Sequence, residues 1–402
     1  MRAKHTASQM TSRLYYTDSY TRAFDARVTE LADGGMRVYL DRTAFYPTSG
    51  GQPFDLGSLG GASVADVVDE GERIAHVLAT PMTGPGVGDA VHGDVDWPRR
   101  FDHMQQHTGQ HLLSAVFADL FGYETVSVHF GADRSSLDLG VGGIDADQLG
   151  RVERRANEIV FENRPVTVSF EDAATASGLR KAPPRDGTIR IVTIDALDRS
   201  ACGGTHVRAT GEIGGITLRG VERVRKQTRV EFLCGMRVIR QARADYEALS
   251  AIALSVKASI AEAPALVAAQ NAELRDATAA RKRLEGELAV HEARALHDAT
   301  LPSSGARLAV VRRDAGSLEE LRPLAMAFAA LPRAVFVACI ASPATVLVTA
   351  SDDAGIDAGA ALRPALAAAG GRGGGSPRLA QGTVPTAGAL DDVVAAIRAA
   401  VV

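Results

Sequence analysis

The chain has 402 residues, more than one ordinary domain holds, so two or three domains are expected. Its 46% hydrophobic content, mean hydropathy near zero and net charge of -4 describe a soluble globular protein without bulk attraction to nucleic acid, so phosphate binding needs local patches. No apolar run approaches a membrane span, and Cys202, Cys234 and Cys339 are too scattered for a disulfide framework, which favours a reducing cytoplasmic location.

In chain order, residues 1–10 read as a disordered tail. The opening "MRAKHTASQMTSRLYY" carries some positive charge but no apolar signal-peptide core, and Met10 is an alternative start. Residues 11–95 alternate in short β-like segments such as "RVYLDRTAF", "ASVADVVDE" and "RIAHVLAT". Gly, Pro and Asp separate them, which suggests a small β-barrel or sandwich. From Phe101 the apolar spacing turns helical and runs to a stop at Gly122, and 148–163 reads as a second amphipathic helix. Strands return in "TIRIVTI", "GGITLRGVERV" and "TRVEFLCG", so 96–235 is expected to be an α+β domain. Residues 236–300 form a helical, coiled-coil-like arm of two helices, the second beginning near Pro264. Residues 301–402 alternate helix and strand around a glycine loop, "GGRGGGSPRLAQG", in a small α/β domain.

Chemistry-bearing residues stand in three places. In "HTGQHLL", His107 and His111 lie four apart on one helix face, close enough to share a metal ion, and His103 precedes them by one turn. In "SACGGTHV", Cys202 and His206 are also four apart, but across two glycines, so the spacing belongs to a tight turn. Two imidazoles joined by one thiolate and one imidazole suit tetrahedral Zn²⁺. His103 is then left over as an outer neighbour, a substrate-facing group or a polar cap. In "DRTAFYPTSGGQPFDLG", Gly50 and Gly51 make a tight turn that leaves Gln52 with an amide donor and acceptor.

Together "TAFYPTSGGQPFDLG", "HTGQHLL" and "SACGGTHV" resemble the editing domain of alanyl-tRNA synthetase, and more closely the free-standing alanyl-tRNA editing proteins called AlaX. "GTIRIVTIDALDRSACGGTHV" with "VRKQTRVEFLCG" is similar to a segment these share with threonyl-tRNA synthetase. "GGRGGGSPRLAQG" resembles the DHH-associated domain at the synthetase C-terminus. The resemblance covers nearly all of residues 11–402 and matches the long AlaX subtype. No segment ahead of it could hold a class II aminoacylation core, and the "DHH" of the phosphoesterases is absent, since "FDHMQ" carries only Asp-His.

The resemblance implies a trans-editing hydrolase that deacylates Ser-tRNA(Ala) or Gly-tRNA(Ala). It implies one Zn²⁺ on His107, His111, Cys202 and His206, and a pocket loop of Gly50, Gly51 and Gln52 carrying the catalytic role. Thr43 and His129 are expected to bind substrate. Arg225, Lys226, Arg372 and Arg378 are expected to bind tRNA, with further basic residues Arg180, Lys181, Arg185, Arg223 and Arg229 nearby. A homodimer through the arm or the C-terminal domain also fits the resemblance. Four protein ligands describe a closed site, whereas catalytic zinc keeps a position open. The alternative is therefore a non-catalytic tRNA-binding module stabilised by zinc. For Gln52→Ala the pocket role predicts slower hydrolysis with little loss of stability.

Overall fold

The computed structural model describes residues 10–182, 186–303 and 305–401. The expected tail, apart from Met10, and Arg185 lie outside the described residues. These residues form two compact units that divide between Leu249 and Ser250.

The first unit opens with strands β1 (Ser12–Arg13), β2 (Ala23–Ala32), β3 (Arg37–Leu40), β4 (Arg42–Thr43), β5 (Gly57–Leu59), β6 (Ala62–Asp69), β7 (Ile74–Leu78) and β8 (Ala90–Val95). Of these, β2-β3-β7-β6-β5-β8 close into a barrel in that order, and β1 pairs in parallel with β4. Strand alternation supplies the interior: Phe24, Ala26 and Val28 of β2 and Val91 and Val95 of β8 turn inward at period two. Phe45, Leu59, Ile74 and Leu78 complete that core. One polar pair sits within it. His76 is fully buried, its Nδ1–H donates to the Val38 carbonyl (3.0 Å), and its Nε2 accepts from the Thr43 hydroxyl (2.8 Å). Burial pushes the His76 pKa down to about 4, so the ring is neutral.

After the barrel come α1 (Trp97–Phe121), β9 (Thr125–Phe130), β10 (Ser135–Leu139), α2 (Ala146–Glu162), β11 (Val166–Asp172), β12 (Thr188–Ile194), β13 (Asp198–Ala201), β14 (Ile216–Val224) and β15 (Gln227–Cys234). They make an antiparallel sheet ordered β14-β15-β10-β9 and a second ordered β11-β12-β13. Helix α1 starts on Asp96, whose side chain accepts from the Arg99 amide, and stops on Gly122 in the left-handed conformation at φ 69°. A capping box between Asp145 and Gln148 starts α2, which buries Val152, Ala156, Ile159 and Val160.

Helix α3 (Met236–Ser255) contains the boundary between the units. In the second unit α4 (Ala263–Ala299) runs 37 residues with Pro264 in its first turn. It is followed by β16 (Arg307–Ala315), α5 (Leu318–Ala329), β17 (Ala334–Ser342), β18 (Thr345–Ala350), α6 (Ala358–Ala368), β19 (Arg372–Gly375), β20 (Leu379–Thr383) and α7 (Ala389–Ala400). Their sheet runs β16-β17-β18-β20-β19, and within it the β16–β17 pair is parallel and the other described pairs are antiparallel. The end of α4 is anchored where Ala293 packs with Leu321 and Phe328. The expected glycine loop is a β-hairpin instead. Gly373, Gly374 and Gly375 pair with Gly382, Gln381 and Ala380. A side chain at Gly382 would collide with Leu366 of α6, so glycine here permits helix and strand to approach closely.

Together these elements are a mixed α+β protein with an N-terminal six-stranded barrel and a C-terminal sheet unit. No helix among the described residues is long and apolar enough to cross a membrane.

A candidate metal centre beside a cleft

From Arg100 to Phe117 nearly every residue of α1 is buried, polar ones included. Such a helix needs partners for its polar groups, and the surrounding main chain supplies them. Gln106 pairs its amide with Cys234, donating to the carbonyl and accepting from the N–H, both at 3.0 Å. Gln105 donates to the Glu212 carbonyl at 3.0 Å. His107 and His111 lie on the face turned toward the loop after β13, their ring centroids 5.3 Å apart.

That loop carries Cys202 and His206. Cys202 Sγ lies 3.4 Å from Nε2 of both His107 and His206, and the four ligand atoms of His107, His111, Cys202 and His206 fall within 4.8 Å of one another. Gly204 permits this closeness, because a Cβ there would run into the His107 ring. Its role is close approach rather than unusual φ. Arg190 of β12 fixes the loop from behind. Its guanidinium donates to the carbonyls of Cys202 (2.7 Å), Gly204 (2.9 Å) and Tyr16 (2.8 Å).

Each imidazole is held through its other nitrogen. His107 Nδ1 meets Gln52 Oε1 at 2.8 Å, and His111 Nδ1 meets Asp198 Oδ2 at 3.0 Å. His206 Nδ1 meets Thr108 Oγ1 at 3.1 Å. The Thr108 proton is directed at the Met104 carbonyl (2.8 Å), so its oxygen accepts from His206. Each ring can thus hold a proton on Nδ1 while Nε2 faces the thiol, so that in its neutral form the Nε2 lone pair is placed to bind a metal.

The electrostatics agree. Burial alone would raise the Cys202 thiol, but its interactions with His107 and His206 outweigh that and hold the pKa well below its ordinary value. Burial would also raise Asp198, yet His111 and Arg180 bring it to about 2. Burial works to lower His111, and its bonds to Asp198 and Cys202 overcome that and lift it to about 9. Burial and the neighbouring His107 hold His206 near 3. A thiolate beside three imidazoles, one of them backed by a carboxylate, is a donor set that suits one central cation. A tetrahedral ion with nitrogen at ~2.1 Å and sulfur at ~2.3 Å separates its donors by roughly 3.5 Å, so small closing motions would complete the shell. The four residues could hold a metal ion.

A cleft of about 380 Å³ opens beside them, lined by Gly50, Gly51, Gln110, His111, Arg180 and Lys181 among others. Gly50 and Gly51, at φ 57° and 84°, make the two-residue turn of a hairpin in which Ser49 and Gln52 exchange main-chain hydrogen bonds. The turn presents its glycines to the cleft and sends Gln52 inward. Gln52 is 1% exposed and spends its amide on His107, the Thr205 hydroxyl (2.7 Å) and the Thr205 N–H (3.1 Å). Gln52→Ala is accordingly expected to lose about 1–3 kcal/mol of stability, replacing the sequence expectation of little loss. It should also weaken metal binding by roughly 10–100-fold. Chemical denaturation and chelator competition measure the two effects.

The other expected site residues fall elsewhere. Thr43 is fully buried in the barrel, its hydroxyl engaged by His76 and by the Phe45 N–H (3.1 Å), and it does not line the cleft. His129 on β9 is exposed and lies 3.2 Å from Arg229 Nη2 and 3.5 Å from Asp138, also outside the cleft lining. His103 stays apart from the four-residue group. Its Nδ1 has no partner among the described residues, and burial, with Arg99 adding to it, lowers its pKa to about 4. Arg225 and Lys226 are exposed at the tip of the β14–β15 hairpin, while Arg229 is occupied by Asp138. In the C-terminal unit Arg372 is exposed on β19 and Arg378 lies 3.3 Å from Asp352.

Sequence reasoning missed Arg190, Asp198, Thr108 and Thr205 as supports of the site. A charged residue inside the apolar strand "TIRIVTI" is the one local signal that marked Arg190.

A His₃Cys group with buried imidazoles and a half-buried thiol beside a cleft, ahead in sequence of a separate sheet unit, defines a two-module protein with a candidate metal centre. The second additional domain of threonyl and alanyl tRNA synthetases matches residues 189–230, and the DHHA1 domain matches residues 307–402. The chain is 36% identical over 240 residues to the alanyl-tRNA editing protein AlaX-M of Methanosarcina acetivorans, covering 55% of this chain and 97% of that protein. It is 38% identical over 244 residues to the alanyl-tRNA editing protein Aarsd1 of Bos taurus, covering 56% of this chain and 54% of that one. It is 36% identical over 241 residues to AlaX-L of Pyrococcus horikoshii, covering 57% and 59%. The matched region thus spans little more than half of the two longer relatives. The chain belongs to the AlaX/Aarsd1 family of alanyl-tRNA editing proteins.

Proposed function

We propose that this chain is a trans-editing hydrolase that deacylates Ser-tRNA(Ala) and Gly-tRNA(Ala) in the cytoplasm, with Zn²⁺ held by His107, His111, Cys202 and His206. The observation that carries the reading is that His111, one of the four convergent ligands, also lines the cleft. A purely structural site has no need of such access, whereas an ester carbonyl in the cleft would lie against the metal centre.

The reaction adds water to the acyl ester and leaves the free amino acid and the tRNA 3′ hydroxyl. When bound, a divalent cation supplies Lewis-acid polarisation and a lowered pKa for water. The chain's own residues do the rest. Gln52, Asp198 and Thr108 hold the imidazoles in one tautomer, and Arg190 holds the loop that carries Cys202. Gly50 and Gly51 form a wall without side chains, which lets the acyl group approach closely. Arg180 and Lys181 bring positive charge to the cleft, suited to the oxyanion or to the terminal phosphate. The exposed Arg225 and Lys226, and in the other unit Arg372 and Arg378, are the proposed tRNA-backbone contacts.

The test is deacylation of Ser-tRNA(Ala) and Gly-tRNA(Ala) by the zinc-loaded full chain, with Ala-tRNA(Ala) as the control. Release of serine or glycine but not alanine, lost on metal removal and restored by zinc, is the expected outcome. Tight tRNA binding without release of any amino acid would leave the chain a zinc-stabilised binding module.

A further inference from the structure

We propose that Asp198 is a positioning residue of the metal centre, and that Arg180 ties it to the cleft, so that the orientation of His111 answers to what the cleft holds. This rests on the metal-centre reading above.

The three supports of the imidazoles differ in kind. Gln52 and Thr108 are neutral, and Asp198 alone brings a full negative charge. A carboxylate on Nδ1–H fixes the ring and raises the donor strength of Nε2. The Asp198 side chain is entirely buried at the start of β13, an expensive place for a charge unless it is paired. Main-chain pairing of β13 with β12 makes no use of the carboxylate. Its partners are His111, Ser200 and Arg180. Oδ2 accepts from His111 at 3.0 Å and from the Ser200 hydroxyl at 2.9 Å, while Oδ1 accepts from Arg180 Nε at 2.7 Å. Arg180 Nη2 also donates to Ser200 Oγ at 3.1 Å. The chain Arg180–Asp198–His111 therefore runs from the cleft wall to a ligand side chain in two hydrogen bonds.

Arg180 is the end of that chain exposed to substrate. Its side chain is 19% exposed and lines the cleft with His111. With Nε and Nη2 fixed by Asp198 and Ser200, a hydrogen-bond acceptor in the cleft can meet the rest of the guanidinium only where Asp198 has set it. Asp198 thus holds a ligand with one oxygen and a cleft-facing cation with the other. The other imidazole supports have no such link, since the side-chain partners of Gln52 (His107 and Thr205) and of Thr108 (Met104, His206 and Val207) do not line the cleft.

The experiment uses the full chain, stripped of metal and reloaded with Zn²⁺ or Co²⁺, as wild type and as Asp198→Ala, Asp198→Asn and Arg180→Met. Competition against a chromogenic chelator should show Asp198→Ala weakened by roughly 10–100-fold, and Asp198→Asn, which still accepts from Nδ1–H, by less than about tenfold. The Co²⁺ visible band should shift in Asp198→Ala and, by a smaller amount, in Arg180→Met. A metal affinity in Asp198→Ala within about twofold of wild type, with an unchanged Co²⁺ band, would make the carboxylate a lock for its strand only and overturn the proposal. Should Asp198→Ala not fold, wild-type affinity and spectrum in both Asp198→Asn and Arg180→Met overturn it equally. A wild-type chain that shows this affinity order but hydrolyses no aminoacyl-tRNA sinks the hydrolase reading and upholds this one. An active wild type whose variants bind metal unchanged does the reverse.

Discussion

Cys202→Ser is expected to weaken metal binding by roughly 100-fold or more, since even an outer support of a ligand is worth 10–100-fold, and to abolish hydrolysis of Ser-tRNA(Ala). The thiolate is the one anionic donor among the four. A serine hydroxyl stays protonated near neutral pH and offers neither the charge nor the soft sulfur that pairs with imidazoles around Zn²⁺. The loss should be local, because the loop is fixed independently by Arg190 through the carbonyls of Cys202 and Gly204. Cys339→Ser is the control. Cys339 is buried in the C-terminal unit, where burial pushes its thiol up to about 11, and it has no part in the group. Metal content, chelator competition and deacylation should all fall for Cys202→Ser and stay unchanged for Cys339→Ser. A Cys202→Ser protein that keeps stoichiometric metal and full activity would remove the thiolate from the site.

The order of the elements and the identity of the four convergent residues were legible in the sequence because both depend on local spacing. Helical spacing placed His107 and His111 on one face, and the two glycines marked Cys202 and His206 as a turn. Gly122 and Pro264 ended and began helices where such residues do. Less legible was anything decided across the chain. Gln52 stands beside the cleft-lining glycines in sequence, yet the hairpin turn sends it the other way, to a histidine 55 positions distant. Thr43 belongs to a motif that resembles the family's pocket, but its hydroxyl is drawn into the barrel by His76, 33 positions along. Asp198 carries no local sign of a role in the sequence, and that role exists only because α1 packs against β13 and brings His111 to it. The glycine-rich C-terminal stretch reads as a loop by composition, and only its pairing partner β20 makes it a strand. For Gln52, Thr43 and Asp198 the deciding partner is a distant residue, whose identity gives no local sign.

Arg100→Met is expected to destabilise the first unit by about 3–5 kcal/mol, the usual cost of leaving one partner of a buried ion pair alone. Arg100 and Asp55 are both fully buried, and the guanidinium meets both carboxylate oxygens. It also donates to the carbonyls of Ser19 (2.8 Å) and Ala44 (2.5 Å), so one side chain at the end of the first turn of α1 gathers three segments of the barrel region. Asp55 in turn accepts from the Tyr46 N–H at 2.6 Å, which brackets the Gly50–Gly51 turn from both ends. The pair thus holds the helix that carries His107 and His111 against the hairpin that carries Gln52. Removing Arg100 strands the Asp55 charge, and removing Asp55 strands the guanidinium, so each single variant should unfold at markedly lower denaturant. Replacing both by apolar residues of similar volume removes the stranded charge and should recover most of that loss. The double variant should nonetheless bind metal more weakly than wild type, because an apolar contact does not fix the register between α1 and the hairpin as a forked hydrogen-bonded pair does. Denaturation midpoints and metal affinities of the four proteins separate the two contributions. Equal metal affinity in the wild type and the stable double variant would mean that packing alone aligns the site, and a double variant as unstable as the singles would refute the stranded-charge account.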